Sequence, residues 1–83
     1  MTIKITQKDI DKGERGGSCN GCAVARAASR AFGKPVAVGN IWAIEASTCR
    51  RLFSIPISMR WWQNCFDIGL EVKPVEFEVE VSD

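Results

Sequence analysis

The chain has 83 residues, 46% of them apolar and 25% charged, with a net charge of +1, values that describe one small soluble globular domain. No apolar run approaches the ~20 residues needed to span a bilayer. Histidine and tyrosine are absent, which removes the commonest general base and metal ligand at neutral pH, so any catalysis would have to run on Cys, Asp, Glu, Lys or Ser.

The opening residues alternate and then turn polar, the pattern of neither a signal peptide nor a transit peptide. A reducing cytosol is therefore the expected compartment, with the four cysteines as thiols or metal ligands rather than disulfides. Charge is unevenly spread: nine basic and four acidic residues lie between Lys8 and Arg60, and six acidic residues and one lysine between Trp61 and Asp83. Such asymmetry fits either a nucleic-acid surface with an acidic tail or two regions that face and partly neutralise each other. The second is preferred, because the acidic residues alternate with apolar ones as on a strand.

In chain order, "TIKIT" predicts a short half-buried strand with Ile3 and Ile5 inward. "TQKDIDKG" predicts a turn of helix capped by Thr6, with Asp9 as the capping-box acid and Gly13 at its end. A glycine-rich loop follows, then a helix from Gly21 or Cys22 to Phe32. Ser18 or Asn20 is its expected cap and Gly33 its left-handed stop. Val24, Ala25, Ala28 and Phe32 share its apolar face; Arg26, Ser29 and Arg30 share the other. "PVAVGN" and "IWAIEAS" predict a hairpin at Gly39-Asn40, and "CRRLFSIP" a third strand reached by a turn near Ser47-Thr48. "SMRWWQNCFDIG" predicts a helix capped by Ser58 and closed by Gly69, with Arg60, Gln63, Asn64 and Asp67 as a polar stripe. "VKPVEFEVEV" predicts a strand with Val75, Phe77, Val79 and Val81 on one face and Glu76, Glu78 and Glu80 on the other. This acidic face is expected opposite Lys4 or Arg50-Arg51. The order β-α-β-β-β-α-β defines a single α+β domain over residues 1–83, with a largely antiparallel sheet and two helices packed on one face.

Four features carry chemical interest. Cys19-x-x-Cys22 with Cys49 and Cys65 offers four thiolates, but structural zinc sites show two close-spaced pairs, and Cys49 and Cys65 stand on separate elements. The same pair at a helix start has the spacing of a thiol redox site. Set against both is a small buried cysteine in a first helical turn, the preferred reading. The loop "GERGGSCNG" with Arg15, Arg26 and Arg30 offers an anion cradle, although neither phosphate-loop spacing is present. Arg26, Arg30, Lys34, Arg50, Arg51 and Arg60 offer a nucleic-acid patch without an accompanying motif. In "RWWQNCF", adjacent tryptophans differ by about 100° around a helix, so one is expected in the core, and the other is either exposed to meet a partner or wrapped into the same small core. An exposed tryptophan beside arginine is characteristic of interface hot spots.

The segments "TQKDIDKGERGGSCNGCAVARAASRA" and "FDIGLEVKPVEFEV" resemble small proteins of tailed bacteriophages. Those open with a strand and T-x-x-D-I-x-x-G, pass through a cysteine-containing loop into an alanine-rich helix, and close with F-D-x-G-x-x-V-x-P-x-x-F. Ala23 stands where relatives commonly have proline. The resemblance implies a phage origin and action in the cytoplasm of an infected bacterium, and it carries over no catalytic residue.

The expectation is a non-enzymatic accessory protein that binds a host protein or complex, including as an inhibitor of host defence of the anti-CRISPR kind. Trp61, Trp62, Arg60, Arg26, Arg30 and Arg15 are its candidate contact residues. No cofactor, metal or membrane is expected. The alternatives are a nucleic-acid or phosphate binder using the glycine-rich loop and arginines, and a cysteine-based zinc or thiol site.

Overall fold

The computed structural model describes residues 1–17 and 19–82. Its elements run β1 (Thr2–Ile5), α1 (Gln7–Lys12), α2 (Ala23–Phe32), β2 (Val36–Val38), β3 (Trp42–Glu45), β4 (Arg51–Ser54), α3 (Ile57–Asp67) and β5 (Val75–Glu78). This is a small α+β fold. The strands divide into two antiparallel sheets: β1 with β5, and β2-β3-β4.

The alternation that defines β1 buries Ile3 and Ile5 and exposes Thr2 and Lys4. Its partner β5 joins chain end to chain start, with Lys4 directly opposite Glu76 and Thr2 opposite Glu78. The Thr2 hydroxyl donates to the Glu78 carboxylate. Opposite charge across strands favours this register, so the acidic strand faces Lys4 rather than the arginine pair. The three-stranded sheet is the expected meander. Gly39 N–H donates to Trp42 O at 2.9 Å across the first turn, and β3 and β4 pair with a bulge between Ala43 and Ile44. In the second turn Cys49 takes a left-handed conformation, φ 61°.

Helix α1 is held by a full capping box: Asp9 N–H donates to the Thr6 hydroxyl, and Thr6 N–H donates to Asp9 Oδ2 at 3.0 Å. Asp9 does more than cap. Its side chain is 1% exposed, and Arg30 on α2 grips it with two bonds of 2.9 and 2.7 Å. Arg26 Nε stands 3.5 Å from Oδ1, close enough to attract but without a hydrogen bond of its own. Burial alone pushes a carboxyl up. Here the hydrogen bonds from Arg30 and Thr6, with the Arg30 charge, outweigh that and hold Asp9 at about 2. The bond ties α1 to α2 and, through Arg30 to Lys4 O at 2.8 Å, to β1.

Helix α2 buries Ala23, Val24, Ala25, Ala27 and Ala28. The small side chains let it lie close to β1 and β2. Its N-cap is Cys22, whose sulfur accepts from Ala25 N–H at 3.4 Å. The cap was expected at Ser18 or Asn20: Ser18 lies outside the described residues, and Asn20 is exposed in the preceding turn. Gly33 stops the helix at φ 69°, as its sequence position predicts. Gly13, at the end of α1, has no room for a side chain: a Cβ there would stand 2.6 Å from Asp9 O and 2.8 Å from Ala23 N.

One apolar cluster underlies all of this, with Phe53 and Phe66 its largest fully buried side chains. Phe32 stacks on Phe53 at 5.8 Å.

Candidate functional site

Helix α3 starts at Pro56, not at Ser58. Pro56 O receives Met59 N–H at 2.9 Å and Arg60 N–H at 3.0 Å, and there is no side-chain cap. Proline's fixed φ favours a helix start, which places Ile57 and Ser58 inside the helix. At the other end Leu70 N–H returns to Cys65 O and Gly69 N–H to Phe66 O, with Gly69 at φ 91°. These are the paired bonds of a Schellman stop, and Gly69 closes the helix as expected.

The rotation of α3 is set by Met59, Trp62 and Phe66, which point into the core. Phe66 is fully buried, and Trp62 lies nearly parallel to it with ring centroids 5.7 Å apart. The Trp62 indole N–H donates to Lys73 O at 3.0 Å. Arg15 caps the other side: its guanidinium carbon is 4.3 Å from the Phe66 ring centre, and Nη1 donates to Phe66 O at 2.5 Å and Leu70 O at 3.2 Å.

With Trp62 held inward, Trp61 is turned out and is 72% exposed. It is not alone. Ile57, four residues earlier, is 78% exposed, and Ile68, seven residues later, is 65% exposed. All three lie on one side of the helix at helical spacing, with Leu70 also exposed just beyond. The outward face of α3 is thus an apolar row. Singly exposed apolar residues are ordinary; aligned ones mark interaction surfaces.

The polar stripe lies on the flank of α3, where it lines a pocket with Asn40; Arg60 and Asn64 are exposed, Asp67 is half-buried and Gln63 is buried. Arg60, Gln63, Asn64, Asp67 and Asn40 enclose about 280 Å³. Gln63 is only 7% exposed. The cause is geometric: burying Met59, Phe66 and Trp62 brings Gln63 inward with them, against the β2–β3 turn. There its amide N–H₂ donates to Gly39 O at 3.4 Å. A larger groove of about 420 Å³ lies open between Lys4–Gln7 and Pro74–Glu76.

Each remaining arginine of the candidate set has a partner within the chain. Arg30 and Arg26 are drawn to Asp9, Arg15 covers Phe66, and Arg60 Nε donates to Ile55 O at 3.0 Å. Lys34 pairs with Glu45 at 2.5 Å, and the Arg51 guanidinium sits 4.5 Å from the Trp42 ring centre. In the glycine-rich loop, a Cβ on Gly21 would stand 2.7 Å from the Glu14 carboxyl carbon, so a carboxylate already occupies that turn.

The cysteines lie apart in character. Cys19 and Cys49 are exposed, Cys65 is half-buried and Cys22 is buried. Among the described residues, no three His, Cys, Asp or Glu side chains gather to hold a metal. Burial pushes the Cys22 thiol up, against backbone hydrogen bonds from Ala25 and Val24, and nearby Asp67 and Cys19 push it the same way as burial does. That is opposite to the shift of a reactive helix-start cysteine. With a thiol reagent in native buffer, Cys19 and Cys49 are expected to label readily and Cys22 only as the fold opens. Peptide mapping of the labelled chain checks this; fast labelling of Cys22 would reinstate it as a nucleophile.

No family model, curated protein or solved structure matches the chain. Among the described residues, no helix is long and apolar enough to cross a membrane.

The sequence singled out the Trp61-Trp62 pair without deciding which of the two turns outward; the fold exposes Trp61. Ile57 and Ile68 were missed, though their spacing from Trp61 was readable, and so was Asn40, which joins α3 only through the tertiary fold.

Proposed function

We propose that this chain is a phage-encoded, non-enzymatic accessory protein that binds a bacterial host protein through the outer face of α3. The observation that carries the reading is the exposed row of Ile57, Trp61 and Ile68 on a helix whose inner face is already satisfied by the core. Large aromatic side chains ringed by lesser contacts dominate binding energy in interfaces. Trp61 fits that description, with Arg60 and Asn64 as its polar rim. The partner would offer an apolar pocket for the indole. Phage origin and a cytoplasmic setting rest on the sequence resemblance, and inhibition of a host defence complex is the consequence of binding most consistent with it.

The phosphate or nucleic-acid alternative draws less support. Arg15, Arg26 and Arg30 are committed to Phe66 and Asp9, and Glu14 sits in the loop that an anion would enter.

Affinity capture from infected bacteria tests the reading. Wild-type chain is expected to retain a host protein that Trp61→Ala and Ile57→Ser lose, while Trp42→Phe retains it. Loss on Arg26→Gln or Arg30→Gln in a folded chain, with no loss on Trp61→Ala, would move the interface to α2.

A further inference from the structure

The two sheets have four outer strands, β1, β5, β2 and β4. An outer strand presents a row of main-chain N–H and C=O groups that native folds cover or block. Three of the four are met from within the chain. On β1, Arg30 donates to Lys4 O at 2.8 Å. On β2, Val36 N–H donates to Ser29 Oγ at 2.9 Å and Val38 N–H to Cys19 O at 2.8 Å. On β4, Leu52 O accepts from Ser82 N–H at 2.6 Å.

The exception is β5. Met1 and Val79 exchange both main-chain bonds, at 2.9 and 2.8 Å, and this fixes the phase of the ladder. Val75, Phe77 and Val79 turn their N–H and C=O groups toward β1, while Glu76 and Glu78 turn theirs away from it. Among the described residues, nothing meets the N–H or C=O of Glu76 or Glu78. Pro74, two residues earlier, has no N–H, so the open row of donors starts at Glu76.

The side chains beside this row decide what can dock on it. Glu76 and Glu78 share one face of β5 and are exposed. Lys4 stands opposite Glu76 in the register, yet the Glu76 carboxylate makes no ion pair among the described residues. On the other face Val75 and Phe77 are only half-buried. A second copy added antiparallel here would pair the outward-turned positions with each other. That sets glutamate against glutamate, and like charges directly opposite are destabilising. A strand with arginine or lysine at every second position sets opposite charges there instead. Its intervening apolar side chains would extend the surface of Val75 and Phe77.

We propose that the free edge of β5 takes up an extended basic segment of another protein, paired antiparallel with Glu76 and Glu78. Main-chain bonds supply the affinity and alternating side chains the selectivity, as in other strand additions. This docking is separate from that of Trp61 and stands or falls without it.

The test uses the intact ¹⁵N-labelled chain, NMR and a capped octapeptide of alternating arginine and valine. A dissociation constant on the order of 0.1–1 mM is expected, with the largest shifts at the Glu76 and Glu78 amides. A capped octapeptide of alternating glutamate and valine should bind at least about tenfold more weakly. Methylating the backbone nitrogens of the peptide's arginines, which face β5 in antiparallel pairing, should abolish binding. Methylating those of its valines, which face away, should leave it intact. Glu76→Gln combined with Glu78→Gln should weaken the arginine peptide at least about fivefold, while Trp61→Ala should leave it unchanged. Equal binding of the peptide methylated at arginine would overturn the proposal, since charge alone would then account for the attraction. So would equal binding of the glutamate peptide, or shifts that are absent or lie elsewhere. Shifts of the Glu76 and Glu78 amides with protein concentration alone would also overturn it, by naming a second copy as the occupant.

Discussion

Asp9→Ala is expected to destabilise the chain by about 3–4 kcal/mol. About 1.5–3 kcal/mol comes from the lost hydrogen bonds to a charged group and about 1 kcal/mol from the lost capping box. The cost stays in that range because Arg30 is itself half-exposed and can be resolvated once unpaired. The substitution removes both bonds to Arg30, the bond from Thr6 N–H and the charge facing Arg26. For a domain of this size it corresponds to a fall in melting temperature of more than about 12 °C. Asp9→Asn keeps one accepting oxygen and should lose less. Thermal unfolding of the three proteins at neutral pH measures it, and a fall under about 4 °C for Asp9→Ala would contradict the account of the pair.

The same group sets an acid dependence. Its carboxyl is held at about 2 in the fold against 3.8 ordinarily. A carboxyl lowered by folding stabilises the native state above its unfolded pKa and ceases to do so as pH falls through its folded one. About 2 kcal/mol should therefore be present at neutral pH and disappear between roughly pH 4 and pH 2. The acid slope should be shallower in Asp9→Asn.

Phe66→Ala is expected to cost a similar amount, about 3–5 kcal/mol, by opening a cavity in the core. Phe66 is fully buried, stacks with Trp62 and carries Arg15 on its ring. Its loss should also release the rotation of α3, since Trp62 is held by that ring on one side and by Lys73 O on the other. Chemical denaturation gives the stability. Near-ultraviolet circular dichroism should lose the signal of the stacked indole. A change below about 1 kcal/mol would mean that α3 is positioned by something else.

What the sequence disclosed follows from which signals are local. Strand β1, the capping box of α1, the left-handed stops at Gly33 and Gly69, and the hairpin at Gly39-Asn40 all rest on contacts within a few residues, and all are present. The split into two sheets is not local. It depends on β5 returning to β1 across most of the chain, and alternation in each strand is the same whether they form one sheet or two. Ser58 was read as a cap from its residue type, but the helix begins two residues earlier at Pro56. The polar stripe of α3 is legible as a stripe, but that Gln63 within it is buried while Arg60 and Asn64 stay exposed is not. Periodicity gives the relative angles of side chains, not which face turns inward. Phe66 and Trp62 decide that, and they draw Gln63 in with them. Asp9 was legible as a capping acid but not as the anchor of two arginines on another helix.

The central claim is that the outer face of α3 is a docking surface. Its most direct test is the affinity of the captured host protein for wild-type chain and for Trp61→Ala, measured side by side with their melting temperatures. The account predicts at least about 2 kcal/mol of lost binding, roughly thirtyfold, with stability changed by less than about 0.5 kcal/mol because Trp61 touches little of the fold. Equal affinity of the two chains, or a wild-type chain that retains no host protein, would contradict it.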